Sequence, residues 1–312
     1  MQYARDVYGQ TLIALGKKHN NIVVADADLS GSTRTKLFAK EFPERFFNFG
    51  VAEQNMAATA AGLASCGKVV FISTFAMFAA GRAWDQVRNT ICYNNFNVKI
   101  VATHAGITVG EDGASHQAIE DVALMRAIPN MTIISPCDGP ETKDAILTAY
   151  ATPGPFYIRL GRSKIPTIEK KKKFEVGKGY VLREGKDVAI IACGILVQHA
   201  LDAAILLQKS NISARVINMH TIKPLDEKLV IKAAKETKGI VVCEEHSVAG
   251  GLGSAVDDIA LEHCPTRLLR IGIKDRFGQS GLPAELLKEY KLTASDIAVK
   301  VKKVLKQQMC RV

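Results

Sequence analysis

Apolar residues in the first half of the chain gather into short, nearly continuous runs. Between the runs lie longer stretches where apolar positions recur at helical spacing. Ile22-Val23-Val24-Ala25, Val69-Val70-Phe71-Ile72, Val98-Lys99-Ile100-Val101-Ala102 and Thr132-Ile133-Ile134 are the runs. Phe156-Tyr157-Ile158-Arg159-Leu160 ends the series after the turn Pro153-Gly154-Pro155. Strands with little polar alternation need cover on both faces, which predicts a parallel sheet between helical layers. One helix is predicted from about Asp6 to Lys18. Another, Ala79 to Cys92, carries Trp84, read as a packing or interface residue.

The theme then repeats. Val188-Ala189-Ile190-Ile191-Ala192, Ala214-Arg215-Val216-Ile217, Gly239-Ile240-Val241-Val242 and Leu268-Leu269-Arg270-Ile271 read as strands, with a last helix from about Ala294 to Lys306. Between the blocks, Ser163 to Lys178 holds Pro166, the lysines Lys170 to Lys173 and Gly177, the composition of a linker. The expected fold class is therefore α/β, with two successive three-layer domains and mostly parallel sheets. The expected boundaries are 1–165 and 181–312, with a linker over 166–180.

Composition narrows the class. The chain has 312 residues, 47% hydrophobic and 23% charged, the balance of a globular protein. No apolar run approaches the roughly 20 residues of a membrane span. The start, Met1-Gln2-Tyr3-Ala4-Arg5-Asp6, lacks the basic patch and apolar core of a signal peptide. Seven scattered cysteines without a C-x-x-C pair point to reduced, mostly buried thiols and a cytoplasmic location. The net charge of +10, from 41 basic and 31 acidic residues, suits the steering of phosphorylated substrates. The Lys170–Lys173 run has no interleaved aromatics and reads as solvated linker, so neither nucleic acid nor membrane is an expected partner.

Three segments carry candidate chemistry. In Phe47-Asn48-Phe49-Gly50-Val51-Ala52-Glu53-Gln54, a strand leads to a glycine and Glu53 opens a helix of small residues. Periodicity alone assigns Glu53 a capping role at the helix dipole. In Ser73-Thr74-Phe75-Ala76-Met77-Phe78, two aromatics could form a stacking surface, although a core face is the commoner use of such a pair. In Thr103-His104-Ala105-Gly106 and Gly110-Glu111-Asp112-Gly113-Ala114-Ser115-His116-Gln117, a strand end is followed by a glycine-punctuated loop with two histidines and two carboxylates. Loops beyond the carboxyl ends of parallel strands are where ligands bind, and two histidines beside Asp112 suit acid–base chemistry. Zinc spacing is absent, so no metal site is expected here.

Together these segments resemble the transketolase family. Gly50 to Gln54 is similar to its strand-Gly-x-[Ala/Arg]-Glu-[Gln/His] segment, and Thr74 to Phe78 to its T-F-x-x-F segment. Gly110 to Gln117 is similar to its G-E-D-G-P-T-H-Q loop, with Ala114 and Ser115 in place of Pro and Thr. Ile158 to Arg162 resembles the closing strand and phosphate arginine. Glu244-Glu245-His246-Ser247 and Gly250-Gly251-Leu252-Gly253 resemble the family's C-terminal domain. The resemblance covers a pyrimidine-binding domain and that C-terminal domain. The diphosphate-binding domain with its G-D-G…N signature is not found, so the resemblance implies the C-terminal subunit of a split transketolase. The partner would then hold the diphosphate and Mg²⁺, and two copies of each chain would assemble as a heterotetramer.

The resemblance also assigns roles. Glu53 would hydrogen-bond the aminopyrimidine of thiamine diphosphate and favour its imino tautomer. Phe75 and Phe78 would pack against that ring, with Asp28 nearby. His104 and His116 would move protons on and off sugar oxygens. Asp112 would accept a sugar hydroxyl, and Arg5, Ser32 and Arg162 would take the phosphate end of the sugar, with Arg82 and Arg159 as spare cations. The implied activity is ketol transfer between a ketose phosphate and an aldose phosphate, in the pentose phosphate pathway and carbohydrate metabolism. The alternatives are half of a deoxyxylulose-phosphate synthase, the β-type subunit of a 2-oxoacid dehydrogenase, and a non-catalytic regulatory subunit. The second domain is expected to be structural and to contribute to subunit contacts. His246 receives no role, and Gly250–Gly253 reads as a tight strand-to-helix connection.

Overall fold

A computed structural model describes residues 1–169 and 173–306. Most of the lysine run, Lys170 to Lys172, lies outside the described residues. The rest is an α/β fold built on two mostly parallel sheets. The larger has seven strands in the spatial order Thr221–Lys223, Thr132–Ile134, Phe156–Arg159, Val98–Thr103, Val69–Phe75, Ile22–Asp26, Phe46–Asn48. The first of these runs antiparallel to its neighbour and the other six are parallel. The second sheet has five strands in the order Leu268–Ile273, Ile240–Ser247, Val188–Ala192, Ala214–Asn218, Tyr180–Arg183, of which only the last is antiparallel. Every residue of Ile22–Asp26, Val69–Phe75, Val98–Thr103 and Val188–Ala192 is buried, as double cover requires.

Two short pairings were invisible in the hydrophobic pattern. Thr221–Lys223 lies in the second half of the chain yet extends the first sheet, with Thr221 opposite Ile134. Gln2 pairs with Ile165 and Tyr3 with Lys164 in a small antiparallel ribbon, which brings the segments carrying Arg5 and Arg162 together.

Helix Ala4–Lys18 buries Tyr8, Leu12 and Leu15. Helix Glu53–Ser65 buries Met56, Ala57, Ala60, Ala61 and Ala64, small side chains that let its axis approach the sheet closely. The predicted helix around Trp84 forms as two π-helical turns, Phe78–Arg82 and Val87–Cys92, joined by the turn Trp84–Gln86. Trp84 is half-buried and its Nε1 donates to the Leu124 carbonyl at 3.2 Å, a packing role. Among the described residues, Cys92, Cys137, Cys193 and Cys243 are buried and Cys66 is exposed. No described helix is long and apolar enough to cross a membrane.

Candidate active site

The carboxyl ends of adjacent parallel strands form one rim. In register, Asp26 lies opposite Asn48 and Ser73, and Phe75 lies opposite Thr103. The residues that follow these strand ends carry the predicted chemistry, because side chains beyond a parallel edge are free of ladder constraints.

An aromatic cluster occupies the centre of the rim. The rings of Phe75 and Phe78 stack at 6.0 Å between centroids, and Phe75 stacks on His104 at 3.8 Å. His116 meets both phenylalanines edge-on, at 6.1 and 5.6 Å. His104 and His116, twelve positions apart in sequence, thus share one pair of rings. Phe75 is buried and Phe78 half-buried, so the pair packs inward as well as stacking on its neighbours. His104 holds φ +57, in the left-handed region that costs a non-glycine residue energy and persists only where the surroundings enforce it.

The chemistry of His104 follows from its partners. The Arg5 Nη1 lies 3.3 Å from Nε2, and a guanidinium can only donate, so Nε2 accepts. Nδ1 therefore carries the proton and donates to the Thr103 hydroxyl at 2.9 Å. Burial first, and then the charges of Arg5 and Arg162, push the ring down to about 3, so it is neutral.

Glu53 departs from the capping role. Its carboxylate makes no cap hydrogen bond and is buried at 1% exposure. Both oxygens accept from Arg82 Nη1, each at 2.9 Å, and the Arg82 guanidinium lies 4.5 Å over the Phe78 ring. The physical reason is the π-helical turn Phe78–Arg82, which brings a cation to the helix start and outcompetes the dipole. Glu53 shares a small cleft with Met56, Ile72 and Thr74. The Thr74 hydroxyl there is buried with no hydrogen-bond partner in the structure.

The other end of the rim is cationic. Arg5 Nη1 also donates to the Ser32 carbonyl at 3.3 Å, and Arg162 pairs with Glu111 at 2.8 Å. Arg34, which sequence reasoning missed, pairs with Asp6 at 2.5 Å. Burial, and after it the Arg34 and Arg162 charges, lower Arg5 from the usual guanidinium range. Asp26 accepts from the Leu29 amide and from the Thr33 and Thr35 hydroxyls, and so shapes the turn that carries Ser32. Asp28 is exposed, with its amide on the Asn48 side chain at 3.0 Å. Asp112 is exposed in the same loop as His116 and no contact ties it to the aromatic cluster. Of the predicted set, Glu53, Phe75, Phe78, His104, His116, Arg5, Ser32 and Arg162 come together; Asp28 and Asp112 stand at the margin.

The spare cations divide. Arg82 joins the site; its place four residues after Phe78 on a predicted helix is the signal that could have found it. Arg159 is instead structural, buried on Asp121 at 2.8 Å. Glu244 fills the start of helix Leu252–His263, accepting from the Leu252 and Gly253 amides at 2.7 and 2.8 Å. The glycine-rich turn is thus occupied by the chain's own carboxylate. His246 is buried and accepts from the Ala123 amide at 3.3 Å. A cavity of about 650 Å³ lies elsewhere, between the edge strand Leu268–Ile273 and the last two helices, and holds none of these residues. Among the described residues no group of three or more His, Cys, Asp or Glu comes together as a metal site.

Comparison with known proteins accords with this geometry. Residues 2–167 match the model of the transketolase pyrimidine-binding domain, and residues 177–297 that of the transketolase C-terminal domain. A Methanocaldococcus jannaschii protein named "Putative transketolase C-terminal section" is 54% identical over 308 residues, which are 97% of this chain and 96% of that protein. The 6-deoxy-6-sulfo-D-fructose transketolase subunit of Clostridium sp. strain MSTE9 is 42% identical over 95% of this chain and 92% of its own. A solved split-gene transketolase, an inactive β4 tetramer, is 51% identical with a TM-score of 0.91, covering 98% of this chain and 99% of that one.

Proposed function

The chain belongs to the transketolase family, as a C-terminal subunit of the split type, and on that premise we propose that it transfers a two-carbon ketol unit from a ketose phosphate to an aldose phosphate. It does so with a partner subunit that binds the cofactor diphosphate and Mg²⁺. Residues 1–165 are its pyrimidine-binding domain, 166–180 the linker and 181–312 the C-terminal domain. The observation that carries the reading is the convergence of a buried carboxylate, a phenylalanine pair, two histidines and an arginine group on one sheet rim.

The residues present suit the aminopyrimidine of thiamine diphosphate. A flat ring bearing nitrogen donors and acceptors matches the buried Glu53 carboxylate, the unpartnered Thr74 hydroxyl and the stacked rings of Phe75 and Phe78. When bound, the cofactor supplies the carbon nucleophile and the electron sink for two-carbon transfer. Glu53 would hold the ring nitrogen, with Arg82 keeping the carboxylate oriented. Asp28, exposed beside Asn48, would add a second carboxylate near the cofactor. His104 would offer its Nε2 lone pair to a sugar hydroxyl as Arg5 turns from it to the sugar phosphate, and His116 would serve the neighbouring oxygen. Arg5, Arg162 and Ser32 take the sugar phosphate, where a guanidinium fork matches phosphate oxygens. Asp112 accepts a hydroxyl farther along the sugar.

The test is ketol transfer from xylulose 5-phosphate to ribose 5-phosphate, with thiamine diphosphate and Mg²⁺, by the tagged chain purified gently from its host. The expected result is activity that requires a co-purifying chain bearing G-D-G…N. Assembly with that partner and turnover only of sulfo- or branched sugars would redirect the donor assignment. Turnover of pyruvate with glyceraldehyde 3-phosphate would replace the reading by the synthase.

A further inference from the structure

The loop between the two histidines is held from outside its own sheet. After His104, whose backbone is in the left-handed region, three of the next four amides have acceptors of their own. Ala105 donates to the Leu160 carbonyl at 3.1 Å and Gly106 to the Ala118 carbonyl at 2.8 Å, both in the first half of the chain. The Thr108 amide donates instead to Glu245 Oε1 at 2.6 Å, a carboxylate 137 positions away at the end of strand Ile240–Ser247. That carboxylate lies flat on Gly106: a methyl group there would sit 2.3 Å from Glu245 Cδ, and φ is +80. Glu245 is itself fixed, because Arg159 Nη2 donates to its carbonyl at 3.0 Å and to the Ala118 carbonyl at 3.1 Å. Farther along the loop, Gln117 Nε2 donates to the Gln279 carbonyl at 3.0 Å, and a methyl on Gly113 would meet Ser280 Oγ at 2.6 Å.

We propose that Glu245 is a positioning residue of the candidate site: reaching over from the second sheet, its carboxylate fixes the backbone that sets His104 and His116 against Phe75 and Phe78. The inference rests on the proposed function only for its catalytic consequence. The second half of the chain is then more than a scaffold for subunit contacts, since without it one of the three loop anchors, that of Thr108, is missing. An acceptor at this reach is what the site requires; burial pushes the Glu245 carboxyl up, and the amide of Thr108 is served in either protonation state.

The experiment compares Glu245→Gln, which keeps an acceptor at the same reach, with Glu245→Asp, which withdraws it by one methylene, in the full chain and in its complex with the partner. The readouts are hydrogen exchange at the Thr108 amide and the ring proton signals of His104 and His116, which Phe75 and Phe78 shift by their ring currents. The expected result is faster exchange and displaced histidine signals in the Asp variant only. In the complex its kcat should fall roughly tenfold to a hundredfold with KM little changed, as slight misplacement of catalytic groups costs. Wild-type exchange and histidine signals in the Asp variant would overturn the proposal, as would a Gln variant equally displaced. Displaced signals in a complex whose wild type performs no ketol transfer would leave the positioning intact and remove the functional reading.

Discussion

Glu53 and His104 are both buried against arginines, Glu53 against Arg82 and His104 against Arg5 with the charge of Arg162 behind it. Replacing Glu53 by Gln keeps the shape and removes the charge that Arg82 holds. The expected outcome is a loss of transfer activity by roughly two to four orders of magnitude, with assembly unchanged by size-exclusion chromatography. Unaltered turnover would end the cofactor role of Glu53. For His104 the folded-state value of about 3 lies below the ordinary 6.5, so the unfolded chain binds the extra proton between them. Stability from this group is present above about 6.5 and is lost as pH falls toward 3. Urea titrations over that window should show the decline, and His104→Asn should flatten it. Arg5 and Arg162 supply part of the depression, after burial, so an anion that neutralises them should raise the ring. Inorganic phosphate is expected to move the His104 NMR titration upward, and an unmoved titration would separate the two arginines from any phosphate site.

The elements of the rim show what local pattern can and cannot specify. Strands such as Val69–Phe75 and Val98–Thr103 were legible because a doubly covered strand must be apolar almost throughout. The helix beginning at Glu53 was legible too, but the role of its first residue was not. A carboxylate at a helix start reads as a cap, and only the π-helical turn Phe78–Arg82 from another segment redirects it. The loop after His104 depends on glycine where backbone meets a carboxylate. Gly106→Ala would force a methyl to within 2.3 Å of Glu245 at φ +80. A loss of about 1–3 kcal/mol is expected from the strain, read as a lower urea midpoint at unchanged slope. A midpoint equal to wild type would mean that the carboxylate has room to retreat.

At the scale of the molecule, a buried polar network joins a helix of the first half to the second sheet. Glu141, on helix Gly139–Ala151, accepts from Asn218 Nδ2 at 2.9 and 3.2 Å and from the Tyr180 hydroxyl, while Asn218 Nδ2 also lies 2.9 Å from that hydroxyl. With strand Thr221–Lys223 crossing between the sheets, the halves should unfold together. Trp84, the single tryptophan, reports on the first half alone. Its fluorescence transition is expected to coincide with the far-ultraviolet dichroism of the whole chain. Asn218→Asp would set a second carboxylate against Glu141 and remove its donor, a cost of about 3–5 kcal/mol. Separate transitions in the wild-type chain would show that the network does not couple the halves.

The sequence by itself determined the two α/β blocks, the family and most of the residues on the rim. Those properties are written in local apolar runs and in the resemblance of short motifs such as Thr74–Phe78 and Gly110–Gln117 to the transketolase family. Tertiary structure decided the pairings between remote segments. Arg82 on Glu53, Arg5 on His104, Glu245 on Thr108 and Thr221 beside Ile134 leave no periodic trace. Each partner is an ordinary residue in its own neighbourhood, and its meaning comes from the desolvated contact that folding makes, where an unpaired buried group is too costly to leave.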